Sequence, residues 1–568
     1  MKKLYFLILL LSNTIFGQIL IDENFKDWES NQNSANDPKG DVSGGKIDFS
    51  MMKIDNDSTY IFFTFDTGTE INLQENNDII LFVDIDNNLN SGYSINGIGA
   101  DFFYKFGSRV GYYYRNGSTY SVQHDDIGLM SLPTVTSDTF ELAFKRKFYA
   151  GNYLVVLGNT IRALIVDNST GGDIIPQISG GLEYKMLNKS PFKPTDMISR
   201  QNTDYLRIMS YNVEFDGFFE NEPPYKRLIK AIQPDILCFQ EIYDHTSSEM
   251  KNKIIGYFGG NWYDSKIGDD LIIISKYKIL SSTDVGGNSA FLIDLGQGNN
   301  LLIVNAHLYC CDNDSGRQKE VDQIMSFIKS AKNKTGTLKI EKNTPIIIVG
   351  DMNFVGYNRQ RKTLIEGDIL NETSFGTDFL PDWDNTFFED ASPQNISYPA
   401  CFTWNSIFSS YPKGRLDYII YSGSVLNLES SFVLSTNELD RDILDKYQMN
   451  SDDSDNAADH IPVVADFTLK EPVLTTDIGI KEVDLAIFPN PGNDIFKIAI
   501  DSESSEPVYL KIYDSQGICV YNINALLIPG ENEIEFDFSN YPNGFYFVQI
   551  LDKTGQYRNY SNCTFMKI

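Results

Sequence analysis

The sequence predicts a multidomain chain with a central α/β domain of enzyme size and a β-rich domain on either side, on three observations. The first is length. At 568 residues the chain is longer than the roughly 250–300 residues over which one hydrophobic core keeps growing, so the core must be divided. The second is a change of period. From Asp22 to about Lys185 short runs such as "STYIFFTF", "DIILFVDI" and "DFFYKF" alternate and are broken by Asn, Asp and Gly, as in a β-sandwich. From Leu206 to about Leu469 helical stretches such as "PYKRLIKAI" and "RQKEVDQIMSFIKSA" are interleaved with apolar strands, which is an α/β pattern. The third is the tail, where short alternating strands return from about Ile487 to Ile568.

Taken in order, residues 1–17 form a leader, 18–187 the first sandwich and 188–204 a polar, Pro-containing linker. The central domain covers 205–469, a second linker 470–486, and the last domain 487–568, expected as a small β-sandwich. Within the leader, Lys2-Lys3, the apolar run Leu4 to Leu11 and a short stretch to Gly17 have the layout of a secretory signal peptide. Ser12, Asn13 and Thr14 interrupt the run well short of the roughly 20 apolar residues a membrane span needs, and no Cys follows for a lipid anchor. The expected product is exported and has no membrane span.

Composition narrows the function classes. Lys and Arg number 47 against 77 Asp and Glu, a net charge of −30, which argues against an electrostatic grip on nucleic acid over a broad surface. It leaves room for a small site in which a divalent ion supplies the positive charge. Hydrophobic residues at 42% and aromatics at 13% mark a chain that folds. Six cysteines without a CxxC pair exclude a disulfide scaffold and make structural zinc an unsuitable reading.

The chemistry concentrates in the central domain. Four apolar strands end in polar residues: "IMSYN" at Asn212, "ILCFQE" at Glu241, "LLIVNAH" at His307, and "IIIVGDMN" at Asp351 and Asn353. Two more begin with them, "RLDYIIY" at Asp417 and "ADHIPVVADF" at Asp459 and His460. If outgoing and incoming strands run in opposite senses, these side chains reach one edge. Glu241, Asp351 and Asp459 are hard oxygen ligands for Mg²⁺, Mn²⁺ or Ca²⁺, while the amides and imidazoles suit phosphate oxygens. Singly, each has a plainer explanation as a turn former, strand cap or semi-buried imidazole; their joint occurrence at strand ends does not.

The order Asn, Glu, His, Asp-x-Asn, Asp, Asp-His resembles the endonuclease/exonuclease/phosphatase superfamily, relatives of the DNase-I-like enzymes, over about Tyr205 to Leu469. One departure is Ala458, where the family usually has Ser. The resemblance implies a four-layer α/β sandwich of two mostly antiparallel sheets with helices outside. It also implies a metal held by Glu241 with Asn212, Asp459 and Asp351, a water oriented by Asp351 and Asn353, and a phosphate oxygen bound by His307. Asp417 would orient His460 and favour its charged form, for transition-state or leaving-group stabilisation. Mg²⁺ is the expected cofactor, with Mn²⁺ and Ca²⁺ as alternatives. Asp269 or Asp270 is the expected partner of His307. Cys310 and Cys311 are expected either to bond each other or Cys401 in an oxidising compartment or to stay as thiols, and Arg359, Arg361, Lys362, Lys413 and Arg415 either to hold a second phosphate or to lie on a solvated loop.

The flanks carry looser resemblances. "DENFKDW", "DVSGGKIDF", "VDIDNNLNSGY" and "GIGADFFY" are similar to β-sandwich modules of the carbohydrate-binding or DOMON-like kind, which implies a glycan partner. Asp84, Asp86, Asn88 and Asn90 alternate oxygen ligands as a calcium loop would, though a polar hairpin turn is the simpler expectation. In the tail, "FPNP", "IYDSQG", "YPNGFYFVQI" and Lys567-Ile568 resemble the sorting domain of type IX secretion. That implies the secretion machinery as a partner and a secreted or surface location in a Gram-negative bacterium.

The expected function is a secreted metal-dependent phosphodiesterase, foremost a nuclease of extracellular nucleic acid. A sphingomyelinase-like lipid phosphodiesterase or a phosphomonoesterase is the alternative within the class, and a catalytically inactive surface-binding protein the alternative outside it.

Overall fold

The computed structural model describes residues 18–42, 44, 47–470, 485–502, 505–515, 518–551 and 563–568. The leader and most of the second linker lie outside the described residues. The chain divides into two compact units, 1–470 and 471–568. Among the described residues no helix is long and apolar enough to cross a membrane.

The first unit opens with two antiparallel sheets. One contains Ser34–Asn36, Met51–Asn56, Tyr60–Ile71, Ser137–Lys145 and Met130–Leu132; the other is built around Thr160–Asp167, Ile79–Asp84, Phe102–Lys105 and Val110–Arg115. The run Tyr60 to Phe65 shows how residue order sets this packing. Side chains alternate across a strand, so Ile61, Phe63 and Phe65 enter the core between the sheets, with Leu81, Val83, Ala163 and Ile165. Tyr60 and Phe62 point the other way into a core shared with the central domain, beside Ala400, Cys401 and Phe402. Tyr60, Ile61, Phe62, Phe63 and Phe65 are apolar on both sides of the strand because both of its faces are buried.

The central part contains a seven-stranded sheet in the order Tyr263–Ile267, Leu271–Ser275, Ile236–Gln240, Leu206–Asn212, Val463–Leu469, Leu426–Val433, Gln394–Asn395. Its six-stranded partner runs Lys278–Val285, Asn288–Gly296, Asn299–His307, Ile346–Asp351, Asp417–Tyr421, Glu389–Asp390. Alternation again assigns the faces. Ile208, Cys238 and Ile273 of the first sheet meet Ile303, Ile347, Val349 and Ile419 of the second in one core. Met209, Tyr211 and Phe239 turn away and pack on Leu228, Ile229 and Ile232 of the helix Glu222–Ile232. On the far side Val304 and Ile348 pack on Val321, Ile324 and Ile328 of the helix Asp314–Lys332, whose N-cap Asn313 accepts a hydrogen bond from Gly316 N at 3.0 Å. Each aliphatic side chain so buried contributes about 1.5–3 kcal/mol.

Sheet register delivers the polar strand ends to one place. His307 lies opposite Asp351 on parallel strands, and Asp351 opposite Asp417 on antiparallel ones, so three neighbouring strands place three of the expected site residues in a row. The sheet is pinched at Gly350, whose φ is +141° and where a Cβ would lie 1.9 Å from Ala306 O; only glycine fits there.

The first sandwich also holds loops of the central domain. Thr136 N donates to Gly356 O at 2.9 Å and Asn358 N to Thr136 Oγ1 at 3.0 Å, just beyond Asn353. Thr134 Oγ1 donates to Arg415 O at 3.0 Å, two residues before Asp417. His124 Nε2 lies 2.9 Å from Ser409 O. The segment expected as a linker over 188–204 has no regular structure but is tied down at both ends, by Phe192 N to Asp57 Oδ2 at 2.9 Å and Arg200 Nη1 to Asp235 Oδ2 at 2.8 Å.

The second unit has a three-stranded and a four-stranded sheet around Phe496, Ile498, Leu510, Phe538 and Phe565. Lys567, 4% exposed, donates to the carbonyls of Phe538, Ser539 and Tyr541 at 2.8–2.9 Å.

Candidate active site

The strand ends meet around Asp351. Its Oδ2 accepts from Asn212 Nδ2 and from Asn353 Nδ2, both at 3.1 Å, and lies 3.7 Å from His307 Nε2 and 3.5 Å from His460 Nε2. Asn212 Nδ2 also donates to Glu241 Oε1 at 2.9 Å, and that oxygen is 3.7 Å from His307 Nε2. Glu241, His307 and Asp351 each offer a ligand atom within 4.8 Å of the others. Among the described residues neither carboxylate forms an ion pair with Lys or Arg. Two hard carboxylates beside an amide, with no Lys or Arg pairing with them, are a donor set that fits a divalent ion.

Local backbone strain holds Glu241 in place. It sits at φ +62°, and three consecutive non-glycine residues, Glu214, Phe215 and Asp216, have φ of +50°, +49° and +62°. Such conformations persist only where the surroundings fix them. Here Glu214 N donates to Asn212 Oδ1 at 3.0 Å, Phe215 N to Glu241 Oε2 at 2.9 Å and Asp216 N to Glu241 O at 2.9 Å. The result puts the Phe215 ring, 70% exposed, on Tyr243, 39% exposed, with centroids 5.9 Å apart and planes 23° apart.

Each histidine is oriented by a carboxylate. His307 Nδ1 is 2.6 Å from Asp270 Oδ2; burial draws its pKa down, but the Asp270 hydrogen bond and the charges of Asp351 and Asp270 outweigh it and raise it to about 9. His460 Nδ1 is 2.9 Å from Asp417 Oδ2, and burial is again outweighed, by Asp417 and Asp351, to about 10. Burial also raises the Asp417 pKa, against the pull of His460. His460 Nδ1 is the hydrogen-bond partner of that carboxyl, whose Oδ1 is buried without one, and we take the pair as imidazolium and carboxylate. Both imidazoles therefore face Asp351 charged and can donate from Nε2.

Asp459 stands outside the group around Glu241: Trp404 Nε1 donates to its Oδ2 at 3.0 Å, and its own amide donates to Glu214 Oε2 at 3.1 Å. Asn353 Nδ2 also reaches Leu308 O at 3.0 Å. Of the two acids considered for His307, Asp270 is the one in contact.

Sequence reasoning gave no role to Trp404, Thr403 or Glu214. Thr403 Oγ1 accepts from Leu416 N and Asp417 N, both at 2.9 Å, fixing the entry to the Asp417 strand. The only signal was the aromatic stretch "YPACFTWNSIFSSY", which gives no contact. The basic cluster is spent elsewhere. Arg361 pairs with Glu23, Arg415 with Asp390 at 2.6 Å, Arg359 with Asp368 at 3.2 Å, and Lys413 with Asp125 at 3.5 Å. Four of its five charges are neutralised by acids, against the expectation of a second phosphate site there. Cys310 and Cys311 are exposed free thiols, and Cys401 is free and buried.

Comparison with known proteins gives the family of the central domain. The model of the Endonuclease/Exonuclease/phosphatase family matches residues 209–455. The chain carries an endonuclease/exonuclease/phosphatase family domain. This is a family of hydrolases acting on phosphoester bonds, generally with a divalent metal. A secretion system C-terminal sorting domain matches residues 486–559, which marks a secreted or cell-surface phosphoester hydrolase. No curated protein matches the chain. Among solved structures, the human Nocturnin catalytic domain with bound sulfate is 16% identical over 47% of this chain and 95% of its own, with a TM-score of 0.31. An AP endonuclease from Archaeoglobus fulgidus is 12% identical over 46% and 98%, with a TM-score of 0.30. Sphingomyelinase C from Streptomyces griseocarneus is 14% identical over 46% and 99%, with a TM-score of 0.27.

Proposed function

We propose that the endonuclease/exonuclease/phosphatase family domain is a phosphodiesterase acting on extracellular nucleic acid, with Mg²⁺ as its cofactor. One observation carries the catalytic reading: two carboxylate-oriented imidazoles converge on Asp351, 3.5 and 3.7 Å from its Oδ2, beside Glu241 and Asn212. Glu241, Asp351 and Asn212 would hold the ion, which when bound neutralises phosphate charge and lowers the pKa of a coordinated water. Asp351 and Asn353 position the attacking water. His307, turned by Asp270, donates from Nε2 to a phosphate oxygen. His460, kept charged by Asp417, donates from Nε2 to the oxygen that gains charge in the transition state. Asp459, fixed by Trp404, carries the hydrogen-bond network out to Glu214.

Nucleic acid is favoured by the exposed Phe215–Tyr243 pair, since Phe215 N touches Glu241. A base can stack on that flat face, and stacking supplies about 1–3 kcal/mol per base without a basic surface, as a chain of net charge −30 requires. One observation favours a lipid diester instead: Ile407 and Phe408, 65% and 94% exposed, lie in the loop just after Trp404, as an apolar tip for a membrane would. We place this second.

The test is hydrolysis of single-stranded DNA, RNA, sphingomyelin vesicles and bis-p-nitrophenyl phosphate by the full secreted chain, after EDTA treatment and with Mg²⁺ restored. We expect Mg²⁺-dependent cleavage of at least one polynucleotide. Cleavage of sphingomyelin alone transfers the assignment to the lipid reading, and cleavage of nothing, with Glu241→Ala binding metal as well as wild type, leaves a binding protein.

A further inference from the structure

A second group of acids, sharing no residue with the candidate active site, lies in the first sandwich. Asp84 ends the strand Ile79–Asp84, and Asp101 immediately precedes Phe102–Lys105. Val83 pairs with Phe102 in antiparallel register, and Asp101 N donates to Val83 O at 3.0 Å, so Asp84 and Asp101 are cross-strand neighbours one step further on. Like charges facing each other across a ladder are destabilising. Both residues are buried, at 0% and 7% exposure. Asp86, on the loop that follows, completes a trio whose ligand oxygens lie within 4.8 Å of one another.

Two features separate this trio from a polar turn. Asp84 uses Oδ1 to accept from Asn88 N at 3.2 Å, but its Oδ2 is closed off from solvent and has no hydrogen-bond partner. A carboxylate oxygen left in that state costs free energy unless something positive meets it. The nearest basic side chain does not. Arg162 pairs with Asp84 in the sheet register, but its guanidinium donates to Asn87 Oδ1 at 2.7 Å, Gly180 O at 2.8 Å and Glu183. Among the described residues no Lys or Arg forms an ion pair with any of the three acids.

We propose that Asp84, Asp86 and Asp101 form a calcium site in the N-terminal sandwich, independent of the catalytic centre, with the Asp86–Asn90 loop supplying the remaining oxygens. The donors are all hard oxygens. Two oxygens on opposite sides of Ca²⁺, at about 2.4 Å each, stand about 4.8 Å apart, whereas Mg²⁺ at about 2.1 Å draws them closer and demands a regular octahedron. The loop is laid close over its neighbour: a Cβ on Gly99 would lie 2.1 Å from Ser91 O and 2.6 Å from Asn88 O. The cation would bridge two strand ends and pin the loop between them. The alternation Asp84, Asp86, Asn88, Asn90 in sequence fits a calcium loop but is met more simply by a polar turn; Asp101, brought in by the fold, is the ligand that changes the balance.

The experiment uses the full chain carrying Glu241→Ala, to weaken cation binding at the catalytic centre, stripped with EDTA and titrated with Tb³⁺. Tyr113 pairs with Phe102, the residue after Asp101, in the sheet register and serves as the sensitiser. We expect tyrosine-sensitised Tb³⁺ luminescence that Ca²⁺ displaces and Mg²⁺ at the same concentration does not, together with a rise in thermal midpoint on adding Ca²⁺. Asp84→Asn with Asp101→Asn should reduce the luminescence at least tenfold. Asp86→Asn, an exposed position that leaves folding intact, should weaken Ca²⁺ competition at least tenfold. Luminescence that survives both sets of substitutions, or that Ca²⁺ fails to displace from the Glu241→Ala protein, overturns the site.

Discussion

Replacing Asp417 by Asn tests the charge on His460 while keeping the size of the side chain. In the wild type the proton on His460 is held against burial by Asp417 and Asp351, with a pKa of about 10. An imidazole with that pKa is about 97% protonated at pH 8.5. Without the Asp417 charge, burial acts with less opposition and the ring returns toward its ordinary value near 6.5, or below it. At pH 8.5 about 1% then remains protonated, a loss of about 100-fold in the charged form, while at pH 6.0 about three quarters remains. Loss of orientation adds to both: a hydrogen bond to a charged partner is worth about 1.5–3 kcal/mol, so even at pH 6.0 a decrease of about tenfold or more is expected. A divalent ion at Glu241 and Asp351 cancels part of Asp351's pull and lowers both limbs, but leaves the wild type above the variant. The linkage to stability has the same sign. A histidine whose pKa is raised on folding contributes stability that is full below about 6.5 and is lost as pH rises through about 10, so the variant should be least stable relative to wild type at acid pH. The assay is kcat/KM on bis-p-nitrophenyl phosphate from pH 5.5 to 10 with saturating Mg²⁺. An alkaline limb that stays where it is in Asp417→Asn, with activity lowered equally at every pH, would refute the electrostatic reasoning and leave Asp417 a purely steric support.

Asp270→Asn should raise KM for the diester about tenfold at pH 8 with a smaller fall in kcat, because His307 loses the carboxylate charge that helps hold its pKa at about 9 and its hold on phosphate weakens. Trp404→Phe removes the 3.0 Å hydrogen bond to Asp459 while keeping an aromatic ring, and should lower kcat/KM about tenfold with little change in thermal midpoint. Gly350→Ala sets a Cβ 1.9 Å from Ala306 O, and urea unfolding of the first unit should show a loss of about 3 kcal/mol or more. A chain lacking residues 18–187 should be insoluble or bind a hydrophobic dye strongly, since Ala400, Cys401 and Phe402 lose the Tyr60 and Phe62 side chains that cover them.

The parts of the site legible in the sequence are those controlled by strand period. An apolar run that ends in a polar residue marks a strand emerging from a core, so Asn212, His307 and Asp351 announce themselves, and the sheet register then places His307, Asp351 and Asp417 side by side. What pairing distant segments decides was not legible. Arg361 reads as a free cation until Glu23, 338 residues away, closes on it. Trp404 reads as core until its indole meets Asp459, 55 residues on. The same limit applies to the calcium proposal, where Asp84 and Asp86 are visible in sequence as a loop and Asp101 joins them only through the sheet.

The first sandwich also read as a separate module joined by a linker, because its period-2 runs satisfy a β-sandwich on their own. Apolar side chains on both faces of Tyr60–Phe65, with Thr64 the one polar residue among them, are the hint otherwise, since a strand with one face in water should alternate strictly. With Tyr60 and Phe62 in the core that holds Ile208 and Ile347, the sandwich is part of the enzyme's own scaffold. Its loops reach the two segments that most constrain the site: Thr136 meets Gly356 and Asn358, just past Asn353, and Thr134 meets Arg415, just before Asp417. Catalysis is sensitive to displacements of about 1 Å in its positioned groups, so a domain bonded to both segments sets the precision of the site, whatever ligand it also binds.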